Sequence, residues 1–186
     1  MLRRGPFAAI IAMLAGVLVL HVGVGVANRK SGRGACSGAT TVPVDENTRR
    51  EATVAVLCLV NRFRARHGLR RVNPSMGLTV AALQHSNDMV QRRYFSHDGP
   101  DGDTFDVRMR HSGYVPRHRP SGLSEAMAWG MDATPRSLVR TLRLSPPHRA
   151  ILLDPDQRDV GIGLTVGAPV TGIRTESATL VLSFGQ

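Results

Sequence analysis

Three short segments of the chain each place one titratable side chain among small or turn-forming residues. The side chains are those of His97, Glu125 and His148. Two imidazoles and a carboxylate can share a proton, bind a polar ligand, or hold Zn²⁺ with one coordination position left for water. The three residues are far apart in sequence, so they form one site only if the fold brings their segments together.

The sequence leaves several kinds of chemistry open for these residues. A zinc ion held by all three would lower the pKa of a bound water and support hydrolysis. Glu125 could instead act as an unligated base, or the residues could form a buried hydrogen-bond network that only orders the fold. A nucleophilic serine is not indicated: Ser96 is adjacent to His97, and residues 122–126 are only a degraded nucleophile elbow.

The first 27 residues are predicted to be an export signal. Arg3 and Arg4 precede an apolar run that ends in small residues, with cleavage expected after Ala27. The run is roughly 20 residues, which is also the length of a membrane-spanning helix, so an uncleaved N-terminal anchor is the alternative. In either case the remainder is expected outside the cytoplasm, secreted or held at the outer face of the membrane.

The chain is strongly basic, with a formal net charge of +10 over 186 residues. Such a surface attracts anionic polymers of the cell envelope, although it can also be an ordinary solvated surface. Nucleic acid is the usual partner of a chain with this charge, but an exported protein rarely meets it, so we do not expect nucleic-acid binding.

The only two cysteines are Cys36 and Cys58. An even number of cysteines in an exported chain predicts a disulfide, which would tie the N-terminal arm to the first helix. Closing a loop of about 20 residues stabilises a domain by about 3 kcal/mol. The alternative is two unpaired thiols, with Cys58 filling a core position.

Residues 28–47 are predicted to be an irregular arm, and residues 48–186 a single domain. In the first helix, Thr48 and Glu51 have capping-box spacing, and Val54 begins the inward stripe that continues through Leu57, Cys58 and Asn61. In the second helix, His85 lies on the apolar face and is predicted to be a hydrogen-bonded core histidine.

Helices are predicted over residues 48–67, 78–93, 104–111, from 134 onward and 148–153, and strands over 123–129, 159–166 and 179–184. This pattern favours an α+β fold with a small antiparallel sheet covered by helices.

Several motifs in a fixed order resemble the bacterial, secreted branch of the CAP superfamily, which has an SCP-like extracellular domain. The superfamily groups the cysteine-rich secretory, antigen 5 and pathogenesis-related 1 proteins. The likeness covers about residues 54–184. The matching segments are residues 58–62 with Arg64, 67–69, 85–89, 95–97, 125–130, 145–152 and 160–163.

The resemblance implies an α-β-α sandwich with a cleft in which some members bind zinc. His97 and His148 match the two cleft histidines, and Glu125 matches one of the two acids. The chain departs from the family pattern in three places: Gly-Glu-Asn is Ser124-Glu125-Ala126, Pro-Gly-His is Pro146-Pro147-His148, and residues 140–143, where the second acid is expected, contain none.

We therefore expect a secreted binding module whose cleft takes a small lipid-like or cell-envelope ligand. Zinc is the metal that His97, Glu125 and His148 would hold, but no cofactor is expected to be required. One alternative is a protease-like hydrolase that uses the same three residues, which the lack of a clear nucleophile disfavours. The other alternative is a structural protein of the cell surface.

Overall fold

The computed structural model describes residues 35–114, 122–173 and 175–186. The segment predicted to be the export signal, residues 28–34 of the arm, and the Pro- and Arg-rich residues 115–121 lie outside these ranges. The described part contains the helices α1 Glu46–Arg66, α2 Met76–Arg92, α3 Phe105–His111, α4 Pro135–Leu144 and α5 Pro146–Leu152, and the strands β1 Asn73–Pro74, β2 Leu123–Met131, β3 Asp159–Val166 and β4 Ser177–Gly185. None of the helices in these ranges combines the length and the apolarity needed to cross a membrane.

The strands form one sheet in the order β1-β3-β4-β2. The three longer strands are antiparallel, as predicted, with Val160 opposite Phe184 and Ala126 opposite Leu182. The two-residue strand β1, which the sequence indicated only as a connector, pairs parallel with β3. The α+β prediction is confirmed, and the sheet is mixed only through this short strand. Strand β2 is left at an edge, where its side chains can line a surface cleft.

Helices cover both faces of the sheet. On one face, α1, α4 and α5 pack on the alternate strand residues Val160, Ile162, Leu164, Leu180, Leu182 and Phe184. On the other face, α2 lies so close to β3 that a Cβ on Gly161 would be 2.0 Å from the backbone carbon of Leu78, and one on Gly163 would be 2.1 Å from the carbonyl oxygen of Ala82. The inward stripe predicted for α2 is confirmed, because Leu78, Ala81, Ala82, His85, Ser86 and Met89 are all buried.

The start of α1 differs from the prediction. Asp45 is the N-cap: its carboxylate accepts a hydrogen bond from the Thr48 backbone N–H at 2.8 Å, and the Thr48 hydroxyl accepts one from the Asp45 N–H at 3.0 Å. The predicted pairing of Thr48 with Glu51 was wrong because Asp45, three residues earlier, offers the stronger acceptor for the free N–H groups of the first turn.

The inward face predicted for α1 is only partly correct: Asn61 is buried and Leu57 packs against the main core, but Val54 is 69% exposed. The helix instead buries Ala52, Val56, Val60 and Phe63 against the sheet. Cys58 lies towards the segment that precedes the helix, where the predicted disulfide with Cys36 is confirmed. Apolar residues therefore cover two faces of α1, and a single helical stripe could not be read from the sequence.

Candidate functional site

Glu125 lies in the edge strand β2 and points to the face of the sheet that α2 covers. Its neighbours Ser124 and Ala126 face the opposite side, where Ala126 joins the main core and the Ser124 hydroxyl accepts a hydrogen bond from Gln157 Nε2 at 3.0 Å. The Glu125 side chain is only 2% exposed. A carboxylate buried to this degree requires partners that compensate for the lost hydration.

His97 is the first of these partners. It lies in the loop between α2 and α3, and its Nδ1 is 2.9 Å from Glu125 Oε1, which requires a proton on that nitrogen. Its side chain remains 45% exposed, so the ring joins a buried carboxylate to the protein surface. This contact fixes the ring orientation and the tautomer of His97.

Arg108 is the second partner of Glu125. The guanidinium comes from α3, and Nη2 lies 3.3 Å from each carboxylate oxygen of Glu125. The same Nη2 donates to the carbonyl oxygen of His97 at 2.6 Å, and Nη1 donates to that of Asp103 at 2.8 Å. Arg108 therefore neutralises the buried carboxylate and also holds the loop that carries His97 at two points, His97 and Asp103.

His85 lies beneath this group, on α2. It is 1% exposed, and its Nε2 donates to the Ser96 carbonyl oxygen at 2.9 Å. Burial lowers the pKa of His85, with the nearby Glu125 carboxylate opposing the shift. The prediction of a hydrogen-bonded core histidine is confirmed, and its role is to hold the loop immediately before His97.

His148 approaches from the other helical layer, on α5. Its ring centroid lies 6.2 Å from that of His97, at an interplanar angle of 53°. Burial lowers the pKa of His148, and the charge of His97 lowers it further. The structure thus brings together the three residues that were singled out from the sequence.

The position of α5 depends on a buried arginine in α1. Arg64 is fully buried and donates to the carbonyl oxygens of Leu152 and Asp154 at 2.8 and 2.9 Å. Its Nε donates to the Arg70 carbonyl oxygen at 2.8 Å. These bonds attach the end of α5 to α1, and so they help to place His148 opposite His97.

The arrangement fits a hydrogen-bonded site better than a zinc centre. Zinc on Glu125 would have to displace Arg108 or place a second cation on the same carboxylate. Within residues 35–114, 122–173 and 175–186, no group of three or more His, Cys, Asp or Glu side chains has a geometry that could hold a metal ion. Zinc binding by His97, Glu125 and His148 stays a prediction.

Arg108 was missed in the sequence, although a signal was present. Phe105, Arg108 and Met109 have the i, i+3, i+4 spacing of one helix face, and Met109 is fully buried in a small core cluster. An arginine on an apolar stripe indicates a buried cation, and a buried cation indicates an acid nearby. Because the chain contains many arginines, residue type alone does not distinguish Arg108 from those at the surface.

Comparison with known proteins places these motifs in a family context. Residues 57–175, well over half of the chain, match the model of the CAP family, described as the cysteine-rich secretory protein family. A curated relative, the uncharacterized protein YkwD of Bacillus subtilis, is 31% identical over 109 residues, which cover 58% of this chain and 40% of YkwD. The chain thus spans well under half the length of this relative.

Two solved structures show the same fold. An extracellular protein with an SCP domain from Bacillus anthracis aligns with a TM-score of 0.62 at 21% identity, over 77% of this chain and 44% of that one. An outer surface protein of Borrelia burgdorferi aligns with a TM-score of 0.59 at 18% identity, over 77% of this chain and 96% of that one.

Proposed function

Because the chain belongs to the CAP family of cysteine-rich secretory proteins, we propose that it is a binding module that works outside the cytoplasm. Its cleft, formed by His97, Glu125 and His148, takes a small ligand, either lipid-like or a component of the cell envelope. The observation that carries this proposal is the position of Arg108, which neutralises Glu125 and leaves the two histidines as the groups that face a ligand.

The state of Glu125 supports binding over hydrolysis. A general base must be free to accept a proton from the reacting group. Both oxygens of Glu125 lie 3.3 Å from the Arg108 guanidinium, and Oε1 also accepts from His97. The carboxylate is therefore used to position His97. Ser124 is not placed as a nucleophile for this site, because its hydroxyl faces Gln157 on the opposite side of β2. The Ser96 hydroxyl accepts a hydrogen bond from the Asp98 backbone N–H at 3.2 Å.

The two histidines suit recognition of a polar group. The exposed part of the His97 ring lies near His148, and a ligand oxygen between the rings could accept or donate a hydrogen bond at each. The family relation supports a location outside the cell or at its surface. The structural neighbours support it too, because one is an extracellular SCP-domain protein and another is an outer surface protein. Attachment through an uncleaved N-terminus is the alternative to secretion.

The proposal is tested by titrating the full chain, after removal of any signal segment, with two probes. Palmitate represents the lipid-like ligands, and muramyl dipeptide represents the envelope components. Calorimetry should detect binding of at least one probe to the wild-type protein. The His97→Ala/His148→Ala variant should lose about tenfold or more in affinity, because both direct contacts are removed.

The control is His111→Ala, which removes an exposed histidine of α3. Its affinity should match that of the wild type. Two results would reject the cleft as a site for these ligands. One is that the wild-type protein binds neither probe, and the other is that the folded double variant binds a probe with unchanged affinity. Zinc can be titrated with the same three proteins, and one equivalent lost only in the double variant would identify a metal site instead.

A further inference from the structure

A basic groove lies on the layer formed by α1, α4 and α5. It has a volume of about 300 Å³ and is lined by Phe63, His67, Arg140, Arg143, Leu144 and Arg149. Arg149 follows His148 directly in α5, but none of His97, Glu125 and His148 is among the residues that line the groove. The groove is therefore separate from the His97 cleft.

The groove contains positive charge without a matching carboxylate. No Asp or Glu is among its lining residues. In the described part of the chain, the ion pairs formed by arginines involve other residues, and none includes Arg140, Arg143 or Arg149. Three guanidinium groups that share one groove repel one another, and an anion bound between them would relieve that repulsion.

Arg143 is held in place before any ligand binds. Its guanidinium carbon lies 4.4 Å from the centroid of the Phe63 ring, and its Nε is buried without a hydrogen-bond partner. His67 lies edge-on to the same Phe63 ring, with a centroid distance of 4.6 Å, and its Nδ1 donates to the Phe63 carbonyl oxygen. The aromatic ring therefore pre-orients two cationic or donor groups at the wall of the groove.

The ends of the helices account for part of this charge. Arg143 lies in the last turn of α4 and Arg149 in the last turn of α5, where a cation is favoured by the helix dipole. The dipole supplies about half a charge at each end. It explains one cation per helix, but it does not explain why Arg140, one turn further from the end of α4, lines the same groove.

We propose that this groove is a second binding site, which takes the phosphoryl group of a phosphate ester through Arg140, Arg143 and Arg149. The planar guanidinium fork binds two phosphate oxygens at once, which a lysine cannot do. The exposed Leu144 beside the arginines offers apolar contact to whatever carries the phosphate. This site does not depend on the function of the His97 cleft, and either proposal can fail alone.

The test uses two probes that share the phosphoryl group. Inorganic phosphate is titrated by calorimetry at constant ionic strength, and vesicles containing phosphatidylglycerol are tested by co-sedimentation against neutral vesicles. Arg140→Gln/Arg149→Gln removes two exposed arginines of the groove. The affinity of this double variant for the probe that binds the wild-type protein should fall by about tenfold or more, which is the loss expected when two charge-assisted contacts are removed. Arg143→Lys keeps the charge and should still weaken binding, because the fork is lost.

The matched control is Arg50→Gln/Arg71→Gln, which removes the same charge from exposed arginines outside the groove. It should bind as the wild type does. Uptake of inorganic phosphate that depends on Arg140 and Arg149 assigns the site to free phosphate, and vesicle binding with the same dependence assigns it to a lipid headgroup. Failure of both probes to bind the wild-type protein, or an equal loss in the control, would overturn the proposal.

Discussion

At the scale of single residues, the site is organised by Arg108. Its one guanidinium contacts the buried carboxylate of Glu125 and the carbonyl oxygens of His97 and Asp103. A buried acid and the loop that carries His97 thus depend on the same side chain. His97, Glu125 and His148 could be found by their resemblance to a known motif, whereas Arg108 could be found only by its position on an apolar helix face.

Arg108→Met should lower the free energy of unfolding by about 3–5 kcal/mol, because it leaves Glu125 buried without its cation. Chemical denaturation measures the loss. Adding Glu125→Gln to this variant should recover part of it, since the uncompensated charge is then gone. Arg110→Met, in the exposed pair with Asp106 on the same helix, should change stability little. Equal effects of the two arginine substitutions would contradict the role given to Arg108.

The buried His85 should make the free energy of unfolding depend on pH. Burial lowers its pKa in the folded state below the ordinary value of 6.5, so below about pH 6.5 the unfolded chain takes up a proton that the folded chain does not. The free energy of unfolding should therefore fall as the pH is lowered from about 7.5 to 5. The charges of Glu125 and Asp103 oppose this shift, and that of Arg108 adds to it. The Tyr94 hydroxyl also faces His85, 3.4 Å from its Nδ1.

Urea denaturation at several pH values measures this effect in the wild type and in His85→Gln, which keeps a donor for the Ser96 carbonyl oxygen. The variant should show a weaker dependence below pH 6.5. The pKa of His148 is also lowered, so His148 should leave a smaller pH dependence of stability in the same direction in the variant. A slope that is the same in both proteins would show that His85 is not the group responsible.

At the scale of elements, the placement of α2 depends on the absence of side chains from β3. Gly161 and Gly163 alternate with Val160, Ile162 and Leu164, so one face of the strand is apolar and the centre of the other is bare backbone. The strand and its apolar face could be predicted from alternation. The close approach of α2 could not, because a glycine in a strand does not show which element lies against it.

Gly163→Ala should be strongly destabilising, because the new Cβ would lie 2.1 Å from the carbonyl oxygen of Ala82 and the obstructing atoms are backbone. We expect a loss of about 3 kcal/mol, at the upper end of the range for overpacking. The control is Gly130→Ala in β2, where the nearest atom is the Cβ of Ala133 at 3.3 Å. Thermal unfolding of the two variants compares them, and a smaller loss for Gly163→Ala than for Gly130→Ala would refute the close packing.

At the scale of the whole molecule, the order of helices and strands was predictable because each element has its own periodicity and end signals. The start of α4, with Thr134 as cap and Pro135 in the first turn, is an example. The faces of α1 were not predictable, because the disulfide draws a second surface of that helix against the preceding segment. The periodicity of the sequence also could not predict that His97 and His148 come together. Their proximity depends on two helical layers that meet at the edge strand β2.

The central claim is that His97 and His148 together form one ligand site above a fixed Glu125. Long-range ¹H–¹⁵N spectra of the histidine rings, recorded while palmitate or muramyl dipeptide is added, test it most directly. The claim predicts that the ring nitrogens of His97 and His148 shift together along one saturation curve, while those of His67 and His111 stay in place. Shifts confined to other histidines, or no shift with either probe, would contradict it.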